Sequence, residues 1–305
     1  MVVGRFAPTP SGRMHLGNIY AMLFAWAKSR KFGGEIVLRI EDLDKLRCPR
    51  SNAEILIDDL YWLGLDWDKG PYFQSERIEI YKKYTEILKQ KRVTFPCFCS
   101  RGELHIANAP HTNDGIYRYP GTCRNLTKEQ IAIKSFWRSP ALRVRVDDRV
   151  ICFEDEHYGI QKSVLDKNSG DFIVCRSDGV YAYHLAVVVD DAIMGVTEIV
   201  RGADLLGSVP VQLYLYELLE FERPSYCHIP LFKIADGRRL AKRDGDLDMG
   251  TLRKKYSAED IIGYIAWQVG FIDKWEKMNK SEFLSVFEID KLPMNDIVLN
   301  YNFDL

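Results

Sequence analysis

Blocks of apolar and polar residues predict a strand, a helix and a second strand at the start of the chain. Residues 2–7 are largely apolar and predict a short strand, which a loop with two prolines and a glycine follows. Residues 20–30 place apolar side chains on one helical side and end in basic residues, which suits a helix C-terminus. Gly33 and Gly34 then end the helix, and residues 35–40 predict a largely apolar strand.

The order strand–helix–strand at this spacing predicts a right-handed crossover and a parallel sheet. Ligands of such sheets bind beyond the carboxyl ends of the strands. Arg5, Ala7, Thr9 and Glu41 lie at or after the ends of the two predicted strands. Topology alone therefore predicts that these four residues converge on one ligand site.

Further helices and strands follow, separated by a region of different composition. Residues 51–63 predict a helix in which Ser51 and Glu54 form a capping box. Cysteine, histidine, proline and glycine become frequent from about residue 95, and the apolar rhythm resumes at Asp171. The other predicted elements are a helix over residues 75–91, a strand over residues 197–201, a helix capped by Ser208 that runs to residue 220, and a helix over residues 258–269.

These patterns predict an α/β fold with a Rossmann-like parallel sheet and an inserted α/β subdomain. We expect residues 1–96 and 171–246 to form the two halves of the main domain. Residues 97–170 would be the insertion, and residues 247–305 a short, mostly helical C-terminal region.

Composition narrows the class of protein without identifying a partner. The 305 residues carry a net charge of −1, which argues against a surface that binds polyanions throughout but allows a local basic face. Seven cysteines without a signal-peptide pattern favour a reducing cytosol over a disulfide framework. No apolar run approaches the about 20 residues of a membrane span, so we expect a cytoplasmic protein with no membrane partner.

The loop before the first helix has the composition of a phosphate site. A strand that leads into a helix N-terminus presents free backbone N–H groups and the positive end of the helix dipole. His15 adds a donor that can be charged, Gly17 allows a flat ring to approach, and Asn18 adds a neutral donor. In isolation, however, this pattern is more typical of an ordinary strand–loop–helix unit.

Three cysteines predict a metal site in the insertion. Cys97, Cys99 and Cys123 offer three sulfurs, and zinc takes four ligands in a tetrahedron. On spacing alone, three buried structural cysteines explain the pattern as well as zinc does. The candidates for a fourth ligand are Tyr119, Tyr117, His105 and His111.

Arginines at the ends of different predicted strands suggest a pocket for a dicarboxylic amino acid. Arg5 and Arg201 can hold two carboxylates in a fixed geometry, and Glu41 can meet an ammonium group. Tyr183 and His184 would line the same pocket or pack in the core. Either arginine would also be explained by a surface ion pair.

Two basic segments are further candidates for anion binding. Arg239, Lys242 and Arg243 lie in a glycine-flanked loop that would neutralise charge on a triphosphate, although such runs are usually solvated surface loops. A strand-like stretch offers possible phosphate contacts, which alternating residues on an exposed strand would mimic. Its arginines are Arg138, Arg143, Arg145 and Arg149.

Several motifs together resemble one enzyme family in order and spacing. They are RFAPTPSGRMHLGN from Arg5, LRIEDLD from Leu38, LGLDWDKGPYFQSER from Leu63, YHLAVVVDDAIMGVTEIVRGADLL from Tyr183 and RLAKRDGD from Arg239. From Arg5 to about Asp246 the chain is similar to the catalytic half of class I glutamyl-tRNA synthetases.

The resemblance implies that ATP, with Mg²⁺, activates glutamate as an adenylate and that pyrophosphate is released. The family's HIGH signature falls on His15 to Asn18, and its KMSKS-type loop on Arg239 to Arg243, with His15 and Lys242 as catalytic groups. Arg239 and Ala241 depart from the usual Lys and Ser of that loop, which allows slower activation, and Asn18 replaces the last His of HIGH, a variation that a subgroup of the family tolerates. The implied ATP contacts are His15, Gly17, Asn18, Arg239, Lys242 and Arg243. The implied glutamate contacts are Arg5, Ala7, Thr9, Glu41, Tyr183 and Arg201.

About sixty residues follow the KMSKS-type loop, so we expect no large anticodon-binding domain in this sequence. This length and the cysteine cluster resemble the glutamyl-Q tRNA(Asp) synthetase branch of the family, which attaches glutamate to the queuosine base at the wobble position of tRNA(Asp). That branch implies one structural zinc on Cys97, Cys99, Tyr119 and Cys123. The alternatives are a minimal glutamyl-tRNA synthetase that charges the 3′ end, or a non-catalytic paralogue that binds tRNA or an amino acid. We expect a monomer.

Overall fold

Parallel strands flanked by helices form the centre of the chain in a computed structural model that describes residues 1–100, 119–234 and 247–299. The described helices are α1 (Leu16–Lys31), α2 (Arg50–Trp62), α3 (Ile78–Gln90), α4 (Lys128–Trp137), α5 (Leu165–Asn168), α6 (Tyr183–Ile193), α7 (Val209–Leu218), α8 (Met249–Lys255), α9 (Ala258–Gln268) and α10 (Lys280–Val286). The strands are β1 (Val3–Phe6), β2 (Glu35–Ile40), β3 (Lys69–Phe73), β4 (Thr94–Cys97), β5 (Ala141–Val144), β6 (Val150–Asp155), β7 (Gly159–Val164), β8 (Phe172–Cys175), β9 (Glu198–Gly202), β10 (Ser225–Ile229), β11 (Phe232–Lys233) and β12 (Ile297–Val298).

The first sheet has the order β1-β2-β3, and all its strands are parallel. Every residue of β1 is buried, as is most of β2, because helices and neighbouring strands cover both faces of a parallel sheet. Helix α1 connects β1 to β2 as the crossover. The predicted α/β class with a parallel sheet is therefore confirmed.

A second sheet continues the first one beyond β1. Its order is β7-β6-β10-β9, with β9 and β10 parallel and β6 and β7 forming an antiparallel hairpin. The backbone N–H of Thr197 donates to the Val3 carbonyl at 2.9 Å, which brings the start of β9 beside β1. Strand β6 joins β10 in parallel where Tyr226 pairs with Asp155.

A third, antiparallel sheet has the order β4-β5-β8. It contains strands from each side of the boundaries predicted near residues 97 and 170. The β6–β7 hairpin, from inside the predicted insertion, belongs to the same sheet as β9 and β10. The division into domains remains a prediction, but two sheets pair strands from both sides of its boundaries.

Three local predictions differ from the structure at helix starts. Helix α2 has Pro49 as its N-cap without a side-chain cap bond, so the capping box predicted at Ser51 and Glu54 is wrong. Ser208 does occupy the N-cap of α7, but its side chain makes no cap bond. The helix predicted from residue 75 begins only at Ile78, because a 3₁₀ turn precedes it.

The C-terminal helices complete the core beneath α1. Phe24 on α1 contacts Phe283 and Phe287, with ring centroids 5.7 and 5.3 Å apart. On the other side, Tyr20 stacks on Phe232 at 4.3 Å. This aromatic packing fixes α1, and therefore the position of its N-terminus, relative to the sheet.

Candidate functional site

A cavity of about 570 Å³ lies beyond the carboxyl ends of β1, β2, β9 and β10. This is where topology predicts a ligand site in a parallel sheet. The predicted residues that line it are Arg5, Ala7, Thr9, His15, Gly17, Asn18, Glu41, Tyr183 and Arg201. The remaining predicted ATP contacts, Arg239, Lys242 and Arg243, lie outside the described residues.

His15 caps α1 through a reciprocal pair of hydrogen bonds. Its Nδ1 accepts from the Gly17 backbone N–H at 3.1 Å, and the Asn18 Oδ1 accepts from the His15 backbone N–H at 3.1 Å. Because Nδ1 is an acceptor, the neutral imidazole carries its proton on Nε2. A Cβ on Gly17 would lie 3.1 Å from both Nδ1 and Cε1 of His15, so glycine here lets the ring fold over the helix N-terminus.

Asp248 and Met249, which follow the KMSKS-type segment in sequence, lie beside His15 and Met14. The Met249 backbone N–H donates to the Met14 carbonyl at 2.8 Å, and His15 and Asp248 form an isolated β-bridge. Asp248 also caps α8 by accepting from the Gly250 backbone N–H at 2.6 Å. The chain therefore re-enters the described part of the structure next to the N-terminus of α1.

Arg201 reaches the cavity from β9 with a firmly held guanidinium group. Its Nε donates to Nε2 of His228 at 3.0 Å, and its Nη2 donates to Oε1 of Gln212 at 2.8 Å. Its Nη1 lies 3.5 Å from the Tyr183 hydroxyl at the cavity. Since Tyr183 is 38% exposed, this corner of the guanidinium faces the open side of the site.

A buried network of charges lies behind the cavity. The fully buried Arg39 of β2 contacts Asp191 at 2.6 Å and Glu41 at 3.2 Å. The Nε of Arg5 lies 3.3 Å from the same Asp191 carboxylate. Burial raises the pKa of Glu41, and the nearby Arg39 and Arg5 oppose that shift. Arg39 and Asp191 thus fix the positions of two predicted glutamate contacts, Arg5 and Glu41.

Asp190, next to Asp191 on α6, is held by a separate set of donors. Its carboxylate accepts from Tyr81 at 2.7 Å, Arg77 at 2.8 Å and Gln74 at 3.0 Å. These contacts tie the carboxylate pair of α6 to the segment after β3.

His184 does not line the cavity, although its neighbour Tyr183 does. It packs with its ring edge toward Phe172, at a centroid distance of 6.3 Å. Burial, with a smaller contribution from the Arg201 charge, lowers the pKa of His184 to about 4. His184 is therefore a neutral packing residue at neutral pH.

The predicted cysteine cluster assembles away from the cavity. The sulfurs of Cys97, Cys99 and Cys123 all lie within 4.8 Å of one another. The Tyr119 hydroxyl lies 3.5 Å from the Cys97 sulfur and 3.8 Å from the Cys99 sulfur. The Arg143 guanidinium covers the Tyr119 ring at 3.9 Å. Tyr117, His105 and His111, the other candidate ligands, lie outside the described residues.

Each of the four arginines considered for phosphate contacts makes an intramolecular bond, which leaves the candidate role of the three more accessible ones untested. Arg143 is buried and donates to the Asp171 carbonyl at 2.7 Å, so it is excluded as a surface contact. The others donate to the Phe98 carbonyl (Arg138), the Arg124 carbonyl (Arg145) and the Asp147 carboxylate (Arg149).

Sequence reasoning missed the residues that support the site from behind. An arginine inside an apolar strand, at Arg39, and two adjacent carboxylates after an apolar run, at Asp190 and Asp191, were available signals. His228 and Gln212 gave no signal, because their contacts with Arg201, 27 and 11 positions away, depend on how the strands and helices pack. Among the residues that the structure describes, no helix has the length and apolar character needed to span a membrane.

Comparisons with known proteins agree with this architecture. The family described as class I tRNA synthetases (E and Q), catalytic domain, matches residues 1–295. A glutamyl-Q tRNA(Asp) synthetase of Nitratidesulfovibrio vulgaris is 44% identical over 98% of this chain and 95% of its own length. A glutamate–tRNA ligase of Sulfurihydrogenibium sp. is 38% identical over 94% of this chain but only 62% of its own length.

A solved structure gives the same picture in three dimensions. The crystal structure of a glutamate-tRNA synthetase from Elizabethkingia anophelis superposes with a TM-score of 0.84 and 26% identity, covering 98% of this chain and 68% of that one. The chain therefore belongs to the class I tRNA synthetase family whose catalytic domain serves the glutamyl and glutaminyl enzymes, and it is a ligase of that family.

Proposed function

We propose that this enzyme activates glutamate with ATP and transfers it to the queuosine base at the wobble position of tRNA(Asp). The observation that carries the proposal is that one cavity gathers Arg5, Arg201 and Glu41 close to the N-terminus of α1. Two guanidinium groups and one carboxylate match the two carboxylates and the ammonium group of glutamate.

The activation step needs positioning and charge stabilisation rather than a covalent nucleophile. One oxygen of the glutamate α-carboxylate attacks the α-phosphorus of ATP, the bond from that phosphorus to the oxygen bridging it to the β-phosphorus breaks, and pyrophosphate leaves. Mg²⁺ bound with ATP would offset part of the charge on the phosphates. The N-terminus of α1, capped by His15, suits the phosphates, because its N–H groups and dipole favour anions. Lys242, which lies outside the described residues, would neutralise the charge that develops on the leaving group.

Two features support the modified base, rather than the 3′ end, as the acceptor. The chain spans nearly the whole length of a relative named for glutamyl-Q tRNA(Asp), at 95%, and only 62% of a glutamate–tRNA ligase. Its identity to the first is also higher, at 44% against 38%.

The test separates activation from transfer. ATP–pyrophosphate exchange with glutamate is measured with and without tRNA, followed by transfer of labelled glutamate to tRNA(Asp) that carries or lacks queuosine. Exchange without tRNA and labelling of the queuosine form alone are expected. Labelling of the 3′ end of tRNA(Glu), with exchange that needs tRNA, would instead identify a minimal glutamyl-tRNA synthetase. Absence of any exchange would favour a non-catalytic paralogue.

We further propose that Cys97, Cys99, Cys123 and Tyr119 hold one structural zinc ion. Tetrahedral zinc with Zn–S bonds of 2.3 Å separates its sulfurs by about 3.8 Å, and the sulfurs of Cys99 and Cys123 are 3.6 Å apart. Three thiolates and a phenolate oxygen would fill the four positions and leave none for a substrate. The four residues also lie outside the cavity lining, which fits a structural role.

Metal analysis of the purified protein tests the zinc site. We expect close to one zinc per chain in the wild type, loss of the metal in Cys123→Ser, and retention in the matched control Cys152→Ser, whose cysteine is exposed and outside the cluster. A wild-type protein without zinc, or equal loss in both variants, would contradict the assignment.

A further inference from the structure

We propose that Asp155 and His228 act as a buried positioning pair that holds the Arg201 guanidinium in its substrate-facing orientation. The inference rests on the proposed function, because it takes glutamate as the ligand of Arg201. It adds two residues outside the cavity lining to those that determine amino-acid specificity, and one of them comes from the β6–β7 hairpin.

The first contact of the pair joins neighbouring strands. Arg201 on β9 is paired in register with His228 on β10, and both residues are buried. The Arg201 Nε lies 3.0 Å from the His228 Nε2. A guanidinium group has only donors, so the imidazole nitrogen that faces it must carry the lone pair.

The second contact fixes that tautomer. With Nε2 as acceptor, the ring proton is on Nδ1, which donates to the Asp155 carboxylate at 2.6 Å. A doubly protonated ring would place an N–H directly against the Arg201 N–H. Consistent with this, burial and the Arg201 charge lower the pKa of His228, and they outweigh the opposing effect of Asp155.

Asp155 is itself held rigidly at the end of β6. Its carboxylate also accepts from the backbone N–H groups of His157 at 3.2 Å, Tyr158 at 3.0 Å and His228 at 3.1 Å. Asp155 is fully buried, so these donors replace the water that an ionised carboxylate would otherwise require. The hairpin turn and the imidazole are thus organised by one carboxylate.

The consequence for Arg201 is a fixed guanidinium plane. His228 holds Nε and Gln212 holds Nη2, so the Nη1 corner near Tyr183 is the part turned to the cavity. Loss of the His228 acceptor would leave a buried N–H of a charged group unpaired and allow the plane to rotate. Such a loss costs a charge-assisted hydrogen bond, which corresponds to about 10- to 100-fold in binding.

The test compares three variants in ATP–pyrophosphate exchange without tRNA. His228→Phe keeps the ring but removes the acceptor, His228→Gln supplies an amide oxygen as a replacement acceptor, and Asp155→Asn presents an amide donor to Nδ1 and thereby reverses the tautomer. Tyr226→Phe is the matched control, because the Tyr226 hydroxyl makes no hydrogen bond to the described residues and the stacked ring is retained.

We expect His228→Phe and Asp155→Asn to raise the KM for glutamate about 10- to 100-fold while the KM for ATP changes less than about 2-fold. His228→Gln and Tyr226→Phe should stay close to the wild type. Discrimination against glutamine should weaken in the two damaged variants. If His228→Phe does not fold, Asp155→Asn and His228→Gln carry the comparison.

Three outcomes would overturn the inference alone. The first two are an unchanged KM for glutamate in His228→Phe and Asp155→Asn, and equal increases in the KM values for glutamate and ATP. Equal damage in His228→Gln and His228→Phe would also contradict an acceptor role. A wild-type enzyme without glutamate-dependent exchange would overturn the proposed function as well, so the two failures are distinguishable.

Discussion

Replacement of Arg39 by methionine tests whether the buried charge network sustains the site. Arg39 is fully buried and lies 2.6 Å from Asp191, 3.2 Å from Glu41 and 3.8 Å from Asp190. Methionine has a similar length and no charge, so Arg39→Met leaves these carboxylates without their shared cation.

The expected loss in the free energy of unfolding depends on the ion pairs that each carboxylate keeps in the variant. Asp190 retains Arg77 at 2.8 Å and Asp191 retains Arg5 at 3.3 Å, whereas Glu41 has no second ion pair among the described residues. Breaking a buried network by removing one partner typically costs 3–5 kcal/mol. The uncompensated charge is concentrated on Glu41, and protonation of Glu41 can neutralise it. We therefore expect Arg39→Met to lose about 3 kcal/mol of unfolding free energy near neutral pH, the low end of that range.

The pH dependence of this loss has a definite sign. Burial already raises the pKa of Glu41, and removal of Arg39 would raise it further. In the unfolded chain Glu41 releases its proton above a pKa of about 4.5, whereas the folded variant would keep that proton to higher pH. The stability of the variant therefore falls as the pH rises from about 4.5 to the raised pKa of the folded state. The loss relative to the wild type should be larger at about pH 8 than at about pH 5.

Urea unfolding at these two pH values measures the effect. Arg223→Met is the matched control, because its ion pair with Glu217 is exposed and should contribute less than about 1 kcal/mol. A loss in Arg39→Met no larger than in the control, or one that does not grow with pH, would refute the reasoning.

Three other perturbations give separate tests. His184 has a folded-state pKa of about 4, below that of the unfolded chain, so wild-type stability should fall by at most about 3 kcal/mol as the pH drops from about 6.5 to about 4, and urea unfolding of His184→Gln should show a flatter profile. Gly17→Ala would push the His15 ring by its new Cβ, and pyrophosphate exchange should fall by up to about 100-fold; an unchanged rate would contradict the capping geometry. Lys242→Ala should lower the same exchange about 100- to 1,000-fold, whereas wild-type activity would remove Lys242 from the reaction.

Local patterns were sufficient for the elements that lie next to each other in the chain. The apolar strand over residues 35–40 and the crossover helix before it follow from periodicity and two glycines. Periodicity could not predict that β6 pairs with β10, because the register between distant strands depends on tertiary packing. The sequence pattern also misplaced the N-cap of α2 at Ser51, since the helix already begins at Arg50 and the extended residue before it is Pro49.

The residues of the candidate site also divide into predictable and unpredictable ones. Residues at the ends of strands, such as Arg5 and Glu41, were predictable because topology brings strand ends together. Arg39 and His228 lie equally near the ends of β2 and β10 but were not predictable, because the role of each depends on a partner more than 70 positions away.

The pairing of β6 with β10 also bears on how this chain can be altered. A segment that packed on a sheet without supplying strands to it could be exchanged between homologues or replaced by a short linker. Residues 150–164 supply two strands of the second sheet and the carboxylate of Asp155 behind Arg201, so such an exchange would disturb the candidate site from a distance. Chimeras that vary the region of the cysteine cluster should therefore cut before β6 and leave the β6–β7 hairpin with β9 and β10.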